Sequence, residues 1–246
     1  MLADRLVAHR GYTKHYPENT LLGMAAAIDA GARFIETDIL FSADQLPVLY
    51  HDALMTRVSG EENAIHLLTL DELVCRPASE PQRLGSQFIG QTITPLCDLV
   101  SLLEEHPEVT AFIEMKRSGL HVVGLEAAYD IVTETLAPVI SQCVLISFSD
   151  EFIDHARQKG FERLGLVLKD WEERQGELIG QIKPEFIFCD TAKVPEGAAL
   201  DDIEATVVIY EVEEPEQAIA WFKRGADMVE TFDIGGMLEN LAHRAL

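Results

Sequence analysis

Seven side chains that could carry out acid–base or ionic chemistry stand at the ends of short apolar runs. They are two histidines, three carboxylates and two cations: His9, Arg10, Glu36, Asp38, His51, Glu114 and Lys116. Residues two apart on a β-strand point to the same side, so Glu36 would lie beside Asp38 and Glu114 beside Lys116. One imidazole could take a proton from an attacking oxygen while the other gives one to a leaving oxygen. The set indicates acid–base chemistry on a negatively charged group.

The three carboxylates are embedded in apolar sequence. Glu36 follows the pair Phe34–Ile35, and Glu114 follows the pair Phe112–Ile113. Burying a carboxylate costs free energy unless a cation or a metal ion neutralises it. Oxygen ligands suit a hard ion such as Mg²⁺ or Ca²⁺ better than zinc, which prefers nitrogen and sulfur. We therefore expect Glu36, Asp38 and Glu114 to bind one divalent cation.

A hard cation, two histidines and two basic side chains form a coherent set for the cleavage of a phosphodiester. Arg10 and Lys116 would contact the phosphate oxygens and offset the charge that develops on them. Taken singly, each group has a structural explanation: a hydrogen-bonded histidine, a solvated acidic strand face, or a surface Glu–Lys pair. Their convergence on one end of one sheet is what favours catalysis.

Strands and helices that alternate along the chain must position these groups. Eight strands are predicted, at 5–9, 33–39, 109–115, 143–148, 163–168, 185–189, 206–212 and 227–231. Helices are predicted at 20–30, 95–105, 122–137, 150–159, 172–182, 215–224 and 235–245. This count predicts a single-domain α/β protein over residues 1–246, a (β/α)8 TIM barrel whose active site forms at the carboxyl ends of the strands. A doubly wound sheet is the second choice, weakened because no glycine-rich phosphate loop follows the first strand. Residues 53–93 read as an insertion after strand 2, with a helix over 69–75.

The composition limits the class of partner. The 246 residues include 19 basic and 42 acidic side chains, for a net charge of −23. A field of that sign disfavours nucleic acid and stable membrane association, so an anionic substrate would need local cations. No apolar run approaches the roughly 20 residues that span a bilayer, and no secretory leader is evident, which predicts a cytoplasmic location. The four scattered cysteines are expected to be buried free thiols.

Five short motifs, in order, resemble those of the glycerophosphodiester phosphodiesterase family. They are HRG at 9–11, PENT at 17–20, ETD at 36–38, HD at 51–52 and EMK at 114–116. LTLDEL at 68–73, ITPL at 93–96 and ISF at 146–148 also match. The resemblance implies a (β/α)8 barrel with an insertion after strand 2 and a divalent cation. It also implies hydrolysis of small glycerophosphodiesters, such as glycerophosphocholine or glycerophosphoethanolamine, to sn-glycerol 3-phosphate and an alcohol.

Carried onto this chain, the resemblance makes His9 and His51 the acid–base pair and Arg10 and Lys116 the phosphate contacts. The metal ligands become Glu36, Asp38 and Glu114. Glu18 is placed near the site, and the glycerol 2-hydroxyl is the implied nucleophile, giving a cyclic phosphate that water opens. Three points stay open: which histidine is the acid, which metal is preferred, and whether the protein is a monomer or a homodimer. Lysophospholipase D or phosphoinositide-type phosphodiesterase activity is the alternative, and a non-catalytic binding barrel is a third.

The departures from the family pattern lie late in the chain. After the aromatic Tyr210, the usual threonine is Glu211 and the usual asparagine is Glu213, while Phe232 stands where an aspartate commonly follows strand 8. We expect these changes to alter the rim of the site without touching the metal or proton chemistry. Tyr210 and Glu213 are thus candidate rim residues, and the added negative charge suggests a preference for a cationic head group. Exposure of the glutamates to solvent is the alternative.

Overall fold

A closed parallel β-barrel forms the centre of the computed structural model, which describes residues 2–200 and 203–242. The strands are β1 Leu6–Ala8, β2 Phe34–Phe41, β3 Pro47–Leu49, β4 Thr94–Pro95, β5 Thr110–Met115, β6 Cys143–Ser147, β7 Leu164–Val167, β8 Phe186–Asp190, β9 Thr206–Tyr210 and β10 Met228–Thr231. Eight of them pair in parallel in the order β1-β2-β5-β6-β7-β8-β9-β10, and β10 pairs back onto β1. The predicted (β/α)8 barrel is confirmed, and each of the eight predicted strands lies in it.

Helices connect the strands around the outside of the barrel. They are α1 Leu21–Asp29, α2 Thr56–Ser59, α3 Leu70–Leu73, α4 Pro81–Leu84, α5 Leu96–Glu105, α6 Arg117–Val123, α7 Leu125–Leu136, α8 Asp150–Gln158, α9 Glu177–Ile182, α10 Pro215–Lys223 and α11 Ile234–Ala242. Where the chain was predicted to be helical over 172–182, the extended backbone of Gly176 separates a 3₁₀ turn, Trp171–Gln175, from α9. Positive φ at Gly124 likewise separates α6 from α7. The predicted helix at 235–245 is α11, and residues 243–246 fall outside the described part of the chain.

The interior of the barrel has an apolar lower layer and a polar upper layer. The apolar layer is filled by side chains that alternate inward from the strands: Val7, Phe112, Val144, Ile146, Val167, Phe186, Phe188, Val208 and Met228. Side chains alternate along a strand, so the residue two positions later points inward as well. His9, Glu114 and Glu230 each stand two positions after a member of this layer. The barrel is a packed core closed at one end, and its polar groups meet at the carboxyl ends of the strands.

The segment between β2 and α5 brings a second part of the chain to this end of the barrel. Strand β2 continues beyond the barrel, and β3 returns antiparallel to it, with Leu40 opposite Val48. The Tyr50 N–H donates to the Asp38 carbonyl at 2.9 Å, which places His51 at the mouth. The segment has a small hydrophobic core of its own: Leu40, Val48, Tyr50, Met55, Val58, Ile65, Leu68, Leu73, Ala78 and Ile93. The helix expected over 69–75 is α3, which begins with a capping box at Thr69.

The expectation about the cysteines is correct for half of them. All four are free; Cys143 and Cys189 are buried, but Cys75 and Cys97 are exposed on the helical periphery. Within residues 2–200 and 203–242, no helix combines the length and the apolar character needed to cross a membrane.

Candidate active site

A cavity of about 220 Å³ opens at the carboxyl ends of the barrel strands. It is lined by His9, Arg10, Glu36, His51, Glu114, Lys116, Ile146, Phe148, Val167, Phe188, Asp190, Tyr210, Glu211 and Glu230. Six of the seven side chains singled out from the sequence line it directly, and Asp38 lies beneath, within ion-pair distance of Arg10 and Lys116. The structure therefore brings together the predicted acid–base, phosphate-binding and metal-binding residues.

Glu36, Asp38 and Glu114 form a buried carboxylate cluster. One oxygen from each lies within 4.8 Å of the others. Lys116 Nζ lies 3.2 Å from Asp38 Oδ1 and 2.9 Å from Glu114 Oε1, as ion pairs without good hydrogen-bond geometry. Glu36 Oε1 is buried and has no polar partner among the described residues. An all-oxygen donor set with an unpartnered buried carboxylate oxygen fits a hard divalent cation.

The pKa values of the carboxyl groups in the cluster are shifted in opposite directions. Burial raises the pKa of Glu36 well above its usual value, and the neighbouring Asp38 and Glu230 carboxylates add to the rise. Burial also opposes ionisation of Asp38, but the charges of Arg10 and Lys116 outweigh it and hold the pKa of Asp38 below its usual value. Asp38 therefore stays ionised, whereas the ionised form of Glu36 would be stabilised by a bound cation.

His9 directly follows β1 and is almost completely enclosed. Its ring stacks on Phe232, with centroids 4.8 Å apart and an interplanar angle of 13°. Nε2 lies 3.8 Å from Glu36 Oε2, and Nδ1 lies 3.8 Å from Glu211 Oε1 and 4.0 Å from Glu230 Oε2. Burial, and then the nearby charge of Arg10, hold the pKa of His9 well below its usual value. The imidazole is therefore neutral at pH 7.

His51 approaches the same cavity from the segment that follows β3 and is more exposed. Its Nδ1 lies 2.5 Å from Asp52 Oδ1, and Arg57 Nε donates to Asp52 Oδ2 at 2.7 Å. Burial raises the pKa of Asp52, but hydrogen bonds from Arg57 and His51 outweigh that effect and lower it. Asp52 is thus a carboxylate that accepts the Nδ1 proton, which leaves His51 Nε2 available to carry a second proton.

Arg10 has a backbone conformation that few arginines adopt. Its φ is 56°, and its N–H donates to Glu36 Oε2 at 3.0 Å. The guanidinium lies 3.1 Å from Asp38 Oδ2 through Nε and 3.6 Å from Glu18 Oε2 through Nη1. Gly11 follows with φ 86°, and a Cβ there would lie 2.7 Å from the Gly23 carbonyl carbon. The turn after β1 therefore requires glycine and directs Arg10 into the cluster.

Asn19 and Arg57 organise the site without having been singled out from the sequence. Asn19 Nδ2 donates to Asp38 Oδ2 at 2.8 Å, and its Oδ1 accepts from the Thr37 hydroxyl and the Asp38 N–H. Arg57 donates two hydrogen bonds of 2.7 Å to the carboxylate of Glu18. Glu18, expected near the site without a defined role, thus links Arg10 to Arg57. The PENT motif was visible, but its contacts depend on residues far away in sequence.

Glu230, on β10, is the buried carboxylate that the sequence reasoning missed. It lines the cavity with Oε1 unpartnered, and burial, with the Glu114 charge next, raises the pKa of Glu230 well above its usual value. The signal that identified Glu36 and Glu114, an acid within an apolar strand, was also present in DMVET at 227–231. Four buried carboxyl groups, Glu36, Asp38, Glu114 and Glu230, thus lie near two cations, Arg10 and Lys116, and a bound divalent cation would favour their ionised forms.

The expectation that the late departures would not touch the proton chemistry is wrong. Phe232 stacks on His9, and the Glu211 carboxylate reaches His9 Nδ1. Tyr210 lines the cavity at the carboxyl ends of the strands. Glu213 lines a separate neighbouring cavity of about 420 Å³ that shares Arg10 with the first. The two late glutamates therefore have different environments.

We expect Glu230→Gln to stabilise the metal-free protein at neutral pH. A carboxyl whose pKa is raised in the folded protein contributes stability at pH values below its pKa in the unfolded chain. This contribution is lost as the pH rises through its pKa in the folded protein. Removing the ionisable group should raise stability at pH 7.5 by about 1–2 kcal/mol, or several degrees in Tm, with a smaller gain at pH 5. Thermal unfolding in EDTA from pH 5 to 8 measures this, with Glu213→Gln as the control. A lower Tm for Glu230→Gln at pH 7.5 would contradict the assignment.

Comparison with known proteins shows similarity to one family over about half of the chain. The model of the Glycerophosphoryl diester phosphodiesterase family matches residues 9–134. Glycerophosphodiester phosphodiesterase 1 of Bos taurus is 29% identical over 152 residues, which cover 62% of this chain and 45% of that protein. Glycerophosphodiester phosphodiesterase of Caldanaerobacter subterraneus is 29% identical over 121 residues, 49% of each chain. The chain spans about half the length of the curated relatives it matches.

Solved structures share the fold over nearly the whole chain. An Oleispira antarctica phosphodiesterase in complex with the product sn-glycerol-3-phosphate has a TM-score of 0.83 at 20% identity, covering 97% of this chain and 96% of that one. A glycerophosphodiester phosphodiesterase of Thermotoga maritima has a TM-score of 0.74 at 22% identity, covering 96% and 97%. At these identities the likeness demonstrates the barrel fold.

Proposed function

The chain belongs to the Glycerophosphoryl diester phosphodiesterase family, and from that premise we propose that it hydrolyses small glycerophosphodiesters to sn-glycerol 3-phosphate and an alcohol. The observation that carries the proposal is one cavity that a buried carboxylate cluster shares with two histidines, of which His9 is buried and His51 is partly exposed. The related phosphodiesterase whose structure contains sn-glycerol-3-phosphate supports the same product. The net charge of −23 favours a dissolved substrate over one embedded in an anionic bilayer.

Glu36, Asp38 and Glu114 would hold the divalent cation, Mg²⁺ or Ca²⁺. When bound, the cation neutralises charge on the phosphate oxygens and polarises phosphorus. Arg10 and Lys116 supply the remaining positive charge at the cavity, where they balance Asp38 and would contact the phosphate. Arg10 is anchored by its backbone as well as by its side chain, so it positions the phosphate with little loss of conformational freedom.

The two histidines would divide the proton transfers according to their environments. His9 is neutral because it is buried beside Arg10, which suits a base that takes the proton from the attacking hydroxyl. His51 is held by Asp52 through Nδ1, which suits an acid that gives its Nε2 proton to the departing alkoxide. Asp52 and Arg57 are positioning residues in this scheme, since they orient the imidazole.

The reaction would proceed in two displacements. The glycerol 2-hydroxyl loses its proton to His9 and attacks phosphorus, while the P–O bond to the alcohol breaks and His51 protonates the leaving oxygen. Water then opens the five-membered cyclic phosphate with the proton transfers reversed, which yields sn-glycerol 3-phosphate and restores both histidines. The overall balance is one diester and one water giving one monoester and one alcohol.

The test is turnover of glycerophosphocholine in the presence of Mg²⁺ or Ca²⁺, coupled to the oxidation of glycerol 3-phosphate. The analogue in which hydrogen replaces the glycerol 2-hydroxyl should not react, and ³¹P NMR should detect the cyclic phosphate during turnover. Lysophosphatidylcholine and phosphatidylinositol, assayed in parallel, address the alternative lipid activities. Absence of turnover with every glycerophosphodiester and every divalent ion would overturn the proposal and favour a binding barrel.

Glu213 offers a test of head-group preference. Because it lines the cavity beside the catalytic one, its charge would attract a choline or ethanolamine group. We expect Glu213→Asn to lower the preference for glycerophosphocholine over glycerophosphoglycerol by about two- to fivefold, the range of an exposed ion pair. The ratio of kcat/KM values for the two substrates measures this. Unchanged discrimination would show that Glu213 is simply solvated.

A further inference from the structure

Glu230 gives the cavity a second group of ligand atoms that is distinct from the carboxylate cluster. One atom each from His9, Glu36 and Glu230 lies within 4.8 Å of the other two. The three residues are 6%, 1% and 3% exposed, respectively. His9 Nδ1, Glu36 Oε1 and Glu230 Oε1 are all buried without a hydrogen-bond partner among the described residues. Each of the three residues thus carries a buried polar atom that a bound ligand would satisfy.

We propose that His9, Glu36 and Glu230 form an alternative cation position that selects a nitrogen-binding ion such as Zn²⁺. The donor set is one imidazole and two carboxylates, whereas the cluster of Glu36, Asp38 and Glu114 offers oxygen alone. Zinc takes imidazole nitrogen and carboxylate oxygen, and magnesium or calcium takes oxygen. A metal binds the lone pair of an imidazole nitrogen, and His9 Nδ1 is buried without a hydrogen-bond partner among the described residues.

The two positions exclude each other. Glu36 belongs to both groups, so an ion bound at either position uses a ligand that the other position needs. A zinc ion at the alternative position would therefore displace magnesium or calcium from the carboxylate cluster. It would also occupy a nitrogen of His9, which could then no longer accept a proton. Zinc should accordingly inhibit hydrolysis in competition with magnesium; this consequence, unlike the binding itself, rests on the proposed function.

Direct binding tests the position without reference to activity. Zn²⁺ is titrated into the metal-stripped full chain while the ¹⁵N signals of the His9 imidazole are followed by NMR and the affinity by calorimetry. Asp38→Asn removes a ligand of the carboxylate cluster only, and Glu230→Gln removes a ligand of the alternative position only. Glu213→Gln removes one negative charge from the neighbouring cavity and is the matched control. Glu230→Met is a second variant of similar side-chain length, used if Glu230→Gln does not fold.

The expected pattern is a zinc-dependent change at His9 that persists in Asp38→Asn and Glu213→Gln. Either Glu230 variant should weaken zinc binding by at least about tenfold, since the loss of even a supporting partner outside the coordination shell has that effect. Any other pattern, such as equal zinc affinity in Glu230→Gln and the unmodified protein, would overturn the proposal. A protein that binds zinc in this pattern but hydrolyses no glycerophosphodiester would refute the proposed function and leave the cation position intact.

Inhibition gives a second readout where turnover is observed. With magnesium present, zinc should inhibit the unmodified protein and Glu213→Gln alike, each measured against its own rate without zinc. Raising magnesium should relieve the inhibition, and Glu230→Gln should require at least about tenfold more zinc for half-inhibition. Inhibition that magnesium does not relieve, or that is equally strong in Glu230→Gln, would contradict competition between the two positions.

Discussion

Replacing His51 by glutamine is expected to reduce kcat for glycerophosphocholine by about 10²–10⁴-fold, the usual contribution of a positioned acid or base. The choline alkoxide is a poor leaving group and needs a proton as the P–O bond breaks. His51 is held by Asp52 through Nδ1, which leaves Nε2 to supply that proton. Replacing His9 by glutamine should cost as much, because in the proposed mechanism the neutral buried imidazole takes the proton from the attacking hydroxyl.

A substrate with a p-nitrophenolate leaving group separates the two roles. This anion departs without protonation, so His51→Gln should retain most of its activity on glycerophospho-p-nitrophenol while His9→Gln stays inactive. His15→Gln is the matched control, because His15 is exposed and does not line the catalytic cavity. The reverse pattern would exchange the two assignments. Equal losses for both histidines on the activated substrate would contradict a division of proton transfer between them.

The sequence predicted the barrel well because its signal is local. Each barrel strand is a short apolar run, and glycines such as Gly31, Gly160 and Gly225, which all have positive φ, stand at helix ends. The carboxyl ends of the parallel strands meet at one end of the barrel. Predicting the strands was therefore enough to predict that the residues that follow them lie close together. Helix boundaries were predicted less well. The helix expected over 122–137 begins after Gly124, most of α6 before it was not predicted, and the backbone of Gly176 divides the helix expected over 172–182 into two elements.

The internal connections of the site could not be predicted, because they join residues distant in sequence. His51 was expected at the site, but its route was not predicted. It reaches the cavity because β3 reverses direction along the extension of β2, a pairing that the apolar run 46–50 does not encode. Arg57 lies in a short helix of the insertion, yet it joins Asp52 to Glu18. Nothing in the spacing of these residues indicates that they meet.

Glu230 and Phe232 show a different limitation. Both lie at the end of β10, a strand that was predicted, but the family pattern identifies only Phe232 as a difference at the rim. The inward alternation from Met228 to Glu230 would have placed this carboxylate in the polar layer of the barrel. The same alternation places Val7 in the apolar layer of the barrel interior and His9 in the polar layer above it. The inward and outward alternation of side chains along each strand, applied to every acidic residue, is the signal that would have identified Glu230.

Removal of the divalent cation is expected to have an effect as large as that of the histidine variants. Chelation with EDTA should lower kcat by about 10³-fold or more, because a metal ion contributes several kcal/mol of charge stabilisation to the transition state. Adding Mg²⁺ or Ca²⁺ back should restore activity. Asp38→Asn should be inactive at every metal concentration, since Asp38 is the carboxylate that Arg10 and Lys116 hold ionised. Activity that survives chelation would contradict the assignment of the carboxylate cluster as a metal site.

Stability provides the independent readout for this prediction. The metal-free cavity buries Glu36, Glu114 and Glu230 with raised pKa values, so a cation that binds only the folded protein should stabilise it strongly. At 100 times the dissociation constant the gain is about 2.7 kcal/mol, or roughly 5–11 °C in Tm for a chain of this size. Asp38→Asn should lose most of this increase, whereas Asp44→Asn, which alters an exposed carboxylate outside the cavity, should retain it. An equal magnesium-dependent rise in both variants would place the ion elsewhere, because Asp38→Asn removes a ligand of the carboxylate cluster and Asp44→Asn does not.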